Sequence, residues 1–250
     1  MEKLFILQII AHILSDFIFQ SERGCRDKEE NGIRSVFLYK HITVVFIVSW
    51  TLSFQWFFWW GALLTTVSHY GIDLLKSYLQ RKYFKQKSLF FLDQTLHIVT
   101  IFMSVYLFYV INEYEVTPPL WIPATNILLI IFVILFNTKP VNILIKEIFD
   151  IFSIQIPYKA DTNNIELPNA GKLIGVTERL LILLFVYIQQ YELIGFLVAA
   201  KSILRFKDTD TLKTEYVLTG TLLSYSIAIV SGILINFLMK NELNFNLQIL

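Results

Sequence analysis

The chain of 250 residues has a single cysteine, Cys25, which excludes an internal disulfide and any Cys-x-x-Cys metal or redox site. Charge is scarce. Asp, Glu, Lys and Arg make up 16% of the residues, against roughly 25% in soluble domains. An excess of one sign is also missing: the net charge is +1, so no global field points to nucleic acid as a partner. Histidine is rare, with four in the chain. The first apolar run, "LFILQIIAHILSDFIFQ", is followed by Arg23, Cys25 and Arg26. No small-residue cleavage site follows it, so a retained span is expected rather than a signal peptide.

What remains is apolar. The chain is 55% hydrophobic and 16% aromatic, with a mean hydropathy of +0.58. A helix needs about 20 mostly apolar residues to cross a bilayer. Runs near 3–20, 35–55, 56–78, 89–112, 121–138, 172–190, 192–206 and 214–239 meet or approach that length. They predict an all-α, polytopic transmembrane bundle of about eight spans among membrane lipids. The segment "VNILIKEIFDIFSI" (141–154) sets Lys146, Glu147 and Asp150 against an apolar face, as an interfacial amphipathic helix does. Residues 155–172 read as a polar loop. Three regions follow: a four-helix membrane half over 1–112, a middle region over 113–171 and a three-helix membrane half over 172–250.

Lys and Arg mark cytoplasmic loops. The first, third, fifth and seventh loops hold them: Arg23, Arg26, Lys28 and Arg34; Lys76, Arg81, Lys82, Lys85 and Lys87; Lys139, Lys146, Lys159 and Lys172; Lys201, Arg205, Lys207 and Lys213. The intervening loops have none. This alternation predicts odd-numbered loops in the cytoplasm and both termini outside.

All four histidines fall in the first four spans, and three pair with a carboxylate four residues away: His12 with Asp16, His69 with Asp73, His97 with Asp93. The fourth, His41, stands alone in the second span. Residues four apart share one helix face. An ionised group inside a span costs at least ~2.5–3.5 kcal/mol, so three carboxylates there need partners. Counted from the cytoplasmic ends, all seven groups lie at similar depth, in one layer. The spacings also predict a tandem repeat of two hairpins. His12 to His69 is 57 residues, His41 to His97 is 56, and "KHITVVF" aligns with "LHIVTIF", although Phe37 stands where Asp93 stands in the second copy.

Such a layer can hold a divalent metal. His12, Asp16, His41, His69, Asp73, Asp93 and His97 are the candidate ligands. A nitrogen and oxygen set without thiolate suits zinc, manganese or iron. A bound metal acidifies water, and Asp93 or Asp16 is the candidate base. The function expected on this basis is a metal-dependent hydrolase of a lipid or membrane-associated phosphoester. A transporter or proton- or ion-coupled channel would use the same layer, and a non-catalytic membrane partner would use it only to tie helices together. Asp73 can also pair with Lys76 one turn on. In the second half, Arg179, Lys201 and Arg205 are candidates for a lipid phosphate, with Glu178 and Glu215 as competing partners. Gly175, Gly195, Ala199 and Gly220 would allow close helix approach.

Three phrases, "HILSDFIFQ", "HYGIDLLK" and "FLDQTLH", resemble the signature of a bacterial membrane family catalogued as domain of unknown function 3307. The matching positions are His12, Asp16 and Gln20; His69, Asp73 and Lys76; Asp93, Gln94 and His97. The later phrases "GKLIGVTERLL", "AAKSILRF" and "EYVLTGTLLSY" also look familial. The resemblance implies a bacterial membrane protein and carries no activity. The His/Asp layout is loosely similar to bacterial membrane-bound metal-dependent hydrolases, by analogy alone.

Overall fold

The computed structural model describes residues 1–83, 89–112, 122–154, 170–205 and 211–248, and within these the chain is helical without strands. Ten α-helices occur in order: α1 Glu2–Ile13, α2 Glu22–Asn31, α3 Val36–Ser53, α4 Trp59–Tyr83, α5 Leu89–Ile111, α6 Thr125–Phe136, α7 Lys139–Ile151, α8 Ala170–Tyr187, α9 Tyr191–Arg205 and α10 Thr211–Gln248. Each of the eight apolar runs falls on a helix. So does the amphipathic segment, on α7. The expected polar loop lies outside the described residues from 155 to 169, as do Lys85, Lys87, Lys159 and Lys207.

Among the described residues three segments are long and apolar enough to cross a membrane: Val36–Ser53, Leu89–Ile111 and Thr214–Lys240. Two bent pairs raise this to five if each counts as one span, Glu2–Ile18 with Glu22–Arg34 at 86° and Thr125–Phe136 with Lys139–Ile151 at 47°. The other helices fall short for physical reasons. His69, Asp73 and Lys76 lower the hydropathy of α4, Lys172, Glu178 and Arg179 that of α8, and α9 has only 15 residues.

The chain divides into two compact units, Met1–Phe132 and Val133–Leu250. In the first, α1, α3, α4 and α5 pack in a ring, each against the next and α5 back against α1. Their buried positions recur at helical spacing: Leu4, Gln8 and His12 on α1; His41, Val45, Ser49 and Ser53 on α3; Asp93, His97, Ile101, Val105 and Phe108 on α5. One end is aromatic and apolar, built from Leu4, Phe58, Ala62, Val105 and Phe108 with Trp50 and Trp60 against them. Toward the middle, Gln8 Nε2 donates to the Ser49 carbonyl at 3.0 Å, and Ser49 Oγ donates back to Gln8 Oε1 at 2.6 Å. The histidines follow one turn further on.

The first loop contains a helix that no apolar periodicity announces. After α1, Leu14–Ile18 form a π-helical turn, with Phe19 N–H donating to the Leu14 carbonyl at 2.8 Å. Ser21 then caps α2 by accepting from Gly24 N–H at 3.1 Å, as N-cap serines do. The helix ends at Gly32, where φ is +52°. A Cβ there would lie 2.1 Å from an Arg81 guanidinium nitrogen, and Arg81 Nε donates to the Glu29 carbonyl at 3.1 Å. Gly32→Ala therefore meets both backbone strain and a displaced arginine. We expect it to cost about 1–3 kcal/mol, read as a lowered Tm of the purified protein.

In the second unit, α8 and α10 pack through Ile182, Val186, Tyr225 and Ala228. Of the small residues expected to permit close approach, Gly220 does so, its would-be Cβ lying 3.3 Å from Phe149. Gly195 faces open space, and Ala199 is exposed. Among the glycines of this unit the closest approach is at Gly232 instead, where a Cβ would lie 3.0 Å from Val186.

Candidate metal centre

The ring of α1, α3, α4 and α5 brings all seven predicted groups of the first half together. Asp16 stands in the π turn, a widened helical geometry that recurs at functional sites. Its Oδ1 lies 3.6 Å from His12 Nδ1, 3.5 Å from His41 Nε2 and 3.4 Å from His69 Nε2. His41 Nε2 and His69 Nε2 approach to 2.9 Å. Asp73 Oδ2 lies 3.8 Å and 3.9 Å from the same two nitrogens. On the other side, His97 Nε2 is 3.4 Å from Asp93 Oδ1, and the His97 ring stacks on His69 with centroids 4.0 Å apart.

These five edges among Asp16, His41, His69 and Asp73 run from 2.9 to 3.9 Å. A tetrahedron whose ligands sit ~2.1 Å from a central ion has edges of ~3.4 Å. Three trios have ligand atoms all within 4.8 Å of one another: His12, His69 and His97; Asp16, His41 and His69; Asp73, Asp93 and His97. By spacing alone, each trio could hold an ion.

Two lysines meet two of the carboxylates. Lys28 Nζ donates to Asp73 Oδ2 at 2.7 Å, and Lys76 Nζ to Asp93 Oδ2 at 2.9 Å. Lys76 thus reaches across to α5 rather than pairing with Asp73 on its own helix. Lys28 comes from α2, whose carbonyl at the same residue accepts from Ser77 Oγ at 3.3 Å. Turned with its oxygen toward Lys28, the Gln20 amide accepts from Nζ at 2.7 Å. Among the described residues Asp16 has no such cation. Its Oδ1 is buried and accepts no hydrogen bond.

Gln94 fixes the state of one ring. Its Nε2 donates to Asp93 Oδ2 at 3.1 Å, so its Oε1 is left facing His12 Nε2 at 3.2 Å. An amide oxygen only accepts, so His12 Nε2 carries the hydrogen. The other ring nitrogen, Nδ1, faces Asp16 Oδ1 at 3.6 Å. A carbonyl on the far ring nitrogen is the usual support of a ligating histidine. Sequence reading did not assign Lys28 or Gln94 to the site.

Residues 4–128 match the family model described as "Protein of unknown function (DUF3307)". The chain belongs to the DUF3307 family. No curated protein and no solved structure matches it. All seven cluster residues, with Gln20, Lys28, Lys76 and Gln94, lie inside the DUF3307 match.

Two of the three candidate cations of the second unit, Arg179 and Lys201, have partners within the protein. Arg179 is 1% exposed and donates to the Asn137 and Thr138 carbonyls at 2.7 and 3.1 Å, to Ser224 Oγ at 2.9 Å and to Asn142 Oδ1 at 2.7 Å. Lys201 donates to Glu178 Oε2 at 2.5 Å. Both are thereby committed to holding α7, α8, α9 and α10. The side chain of Arg205, at the end of α9, lies outside the described residues.

Proposed function

We propose that this is a metal-dependent hydrolase of a bacterial cytoplasmic membrane, cleaving a phosphoester on a lipid or other amphiphile. The observation that carries the reading is Asp16 Oδ1, buried, without a hydrogen bond, and 3.4–3.6 Å from three imidazole nitrogens. Charge supports it. Three carboxylates face two ammonium groups, and the sum is one negative charge with neutral histidines. A divalent ion with one hydroxide brings that sum to zero. Asp16, His41, His69 and Asp73 would hold the ion, with His12 turned toward it by Gln94. The ion would supply an acidified water. Water adds to phosphorus, the phosphorus–oxygen ester bond breaks, and the proton ends on the leaving alcohol. Asp93, 3.4 Å from His97 Nε2, is the residue we assign to pass that proton.

Eight spans, odd loops in the cytoplasm and both termini outside complete the proposal. The helix under every apolar run and the alternation of basic loops support it. The ring order supports a tandem repeat, because α1 stands opposite α4 and α3 opposite α5, as an axis along the membrane normal requires.

Purified protein loaded with Zn²⁺, Mn²⁺ or Fe²⁺ and passed through a desalting column should keep about one ion per chain by elemental analysis. His69→Ala should keep less than a tenth of that. A well-folded parent chain that binds none of the three overturns the reading. A second reading rests on proximity: Lys28, Asp73, His69, Asp16, His12, Gln94, Asp93 and Lys76 follow one another at 2.7–3.9 Å, and such intramembrane groups mark proton relays. Proton flux in liposomes, abolished by Asp16→Asn and independent of metal, would favour it.

A further inference from the structure

Beside the cluster lies a cavity of about 190 Å³, between the end of α1, the start of α2 and the first half of α3. At roughly 30 Å³ per water it has the room of about six waters, enough for a phosphate headgroup and too little for an acyl chain. Its polar wall is formed by Gln20, Ser21, Lys40 and His41, and its apolar wall by Phe19, Phe37 and Val44.

Three features set the chemistry of what fits. Among the described residues Lys40 has no carboxylate partner. Its ammonium lies 5.6 Å from the Phe37 ring centroid, so the cavity carries one uncompensated positive charge. Ser21 Oγ accepts from Gly24 N–H, which leaves its own hydrogen to donate. His41 is 6% exposed; it forms part of the cavity wall while its Nε2 lies 3.5 Å from Asp16 Oδ1. The cavity and the cluster therefore meet at one imidazole. The rim is apolar: Phe19 is 58% exposed, and Phe37 and Val44 lie on α3, one of the helices apolar enough to cross a membrane.

We propose that this cavity binds the phosphate group of an anionic lipid, held by Lys40 and Ser21 at His41, with the acyl chains leaving past Phe19 and Phe37. The reading of the bound lipid as substrate rests on the hydrolase proposal; the binding itself does not.

The test uses the full chain in detergent, short-chain phosphatidic acid as probe, and native mass spectrometry for binding, with metal content measured on the same samples. Phosphatidic acid should bind the parent chain. Lys40→Gln should weaken it about tenfold, the scale of one charge-assisted hydrogen bond. Val44→Trp, which fills the cavity, should abolish it. Both variants should keep the parent's metal content. Affinity unchanged in both overturns the cavity whatever the metal content. Inorganic phosphate binding as tightly as the lipid overturns the lipid assignment. Lipid binding with this variant dependence in a chain that holds no metal leaves the cavity standing and sinks the hydrolase.

Discussion

The Asp16→Asn variant is expected to be more stable than the parent chain without metal and less stable with it. The reason is the charge count around Asp16. Asp73 and Asp93 each take a lysine ammonium, at 2.7 and 2.9 Å. Asp16 faces only imidazoles, and its Oδ1 is buried without a hydrogen bond. An uncompensated buried carboxylate costs several kcal/mol. The amide keeps the shape, removes the charge and adds donors for the ring nitrogens, so the metal-free variant should gain about 1–3 kcal/mol. For a chain of this size that raises Tm by roughly 3–10 °C. Metal reverses the order. An ion present at 1,000 times its Kd stabilises the parent by about 4.1 kcal/mol, and the variant, lacking the anionic ligand, gains little. Thermal unfolding with and without Zn²⁺ reads the crossing directly. A purely structural polar core predicts a less stable variant under both conditions, and that result would remove Asp16 from any metal site.

The cluster was legible because a helix converts spacing into direction. His12 and Asp16, His69 and Asp73, and Asp93 and His97 each had to share a face, and a polar face in an apolar helix has nowhere to turn but toward another such face. Depth followed from counting residues along each run. Lys28 was not legible. It lies in a loop rich in basic residues, where any lysine reads as an anchor to the cytoplasmic side. Its role depends on α2, which has no apolar stripe and is set by the Ser21 cap, by Gly32 and by Arg81. Lys76 was visible, but its partner was not. The Asp73 carboxylate three residues earlier was the nearest by sequence, and the tertiary fold supplied Asp93 from the facing helix. Arg179 read as a candidate for a lipid phosphate, because it begins an apolar run beside Glu178. Its donors instead meet the Asn137 and Thr138 carbonyls at the break between α6 and α7, acceptors that only a bent chain exposes.

The two lysine–aspartate pairs lead to the other large effect, because their exposures differ. Lys28 and Asp73 are 11% and 8% exposed, whereas Lys76 is 26% exposed above an Asp93 at 4%. Removing one partner of a buried pair leaves the other charge stranded, at about 3–5 kcal/mol. Lys28→Met should reach that range in metal-free protein. It strands Asp73 and also takes away the donor to Gln20 that ties α2 to the end of α1. Lys76→Met should cost less, because Gln94 still donates to Asp93 at 3.1 Å and the partly exposed site admits water. The double variant Lys28→Met/Asp73→Asn separates charge from packing. If the stranded carboxylate causes the loss, adding Asp73→Asn should recover more than half of it, a coupling of about 2 kcal/mol in a double-mutant cycle. Urea unfolding of the four chains gives the cycle. No recovery, with coupling near zero, would mean that Lys28 holds α2 by its methylene stem alone and that Asp73 needs no cation.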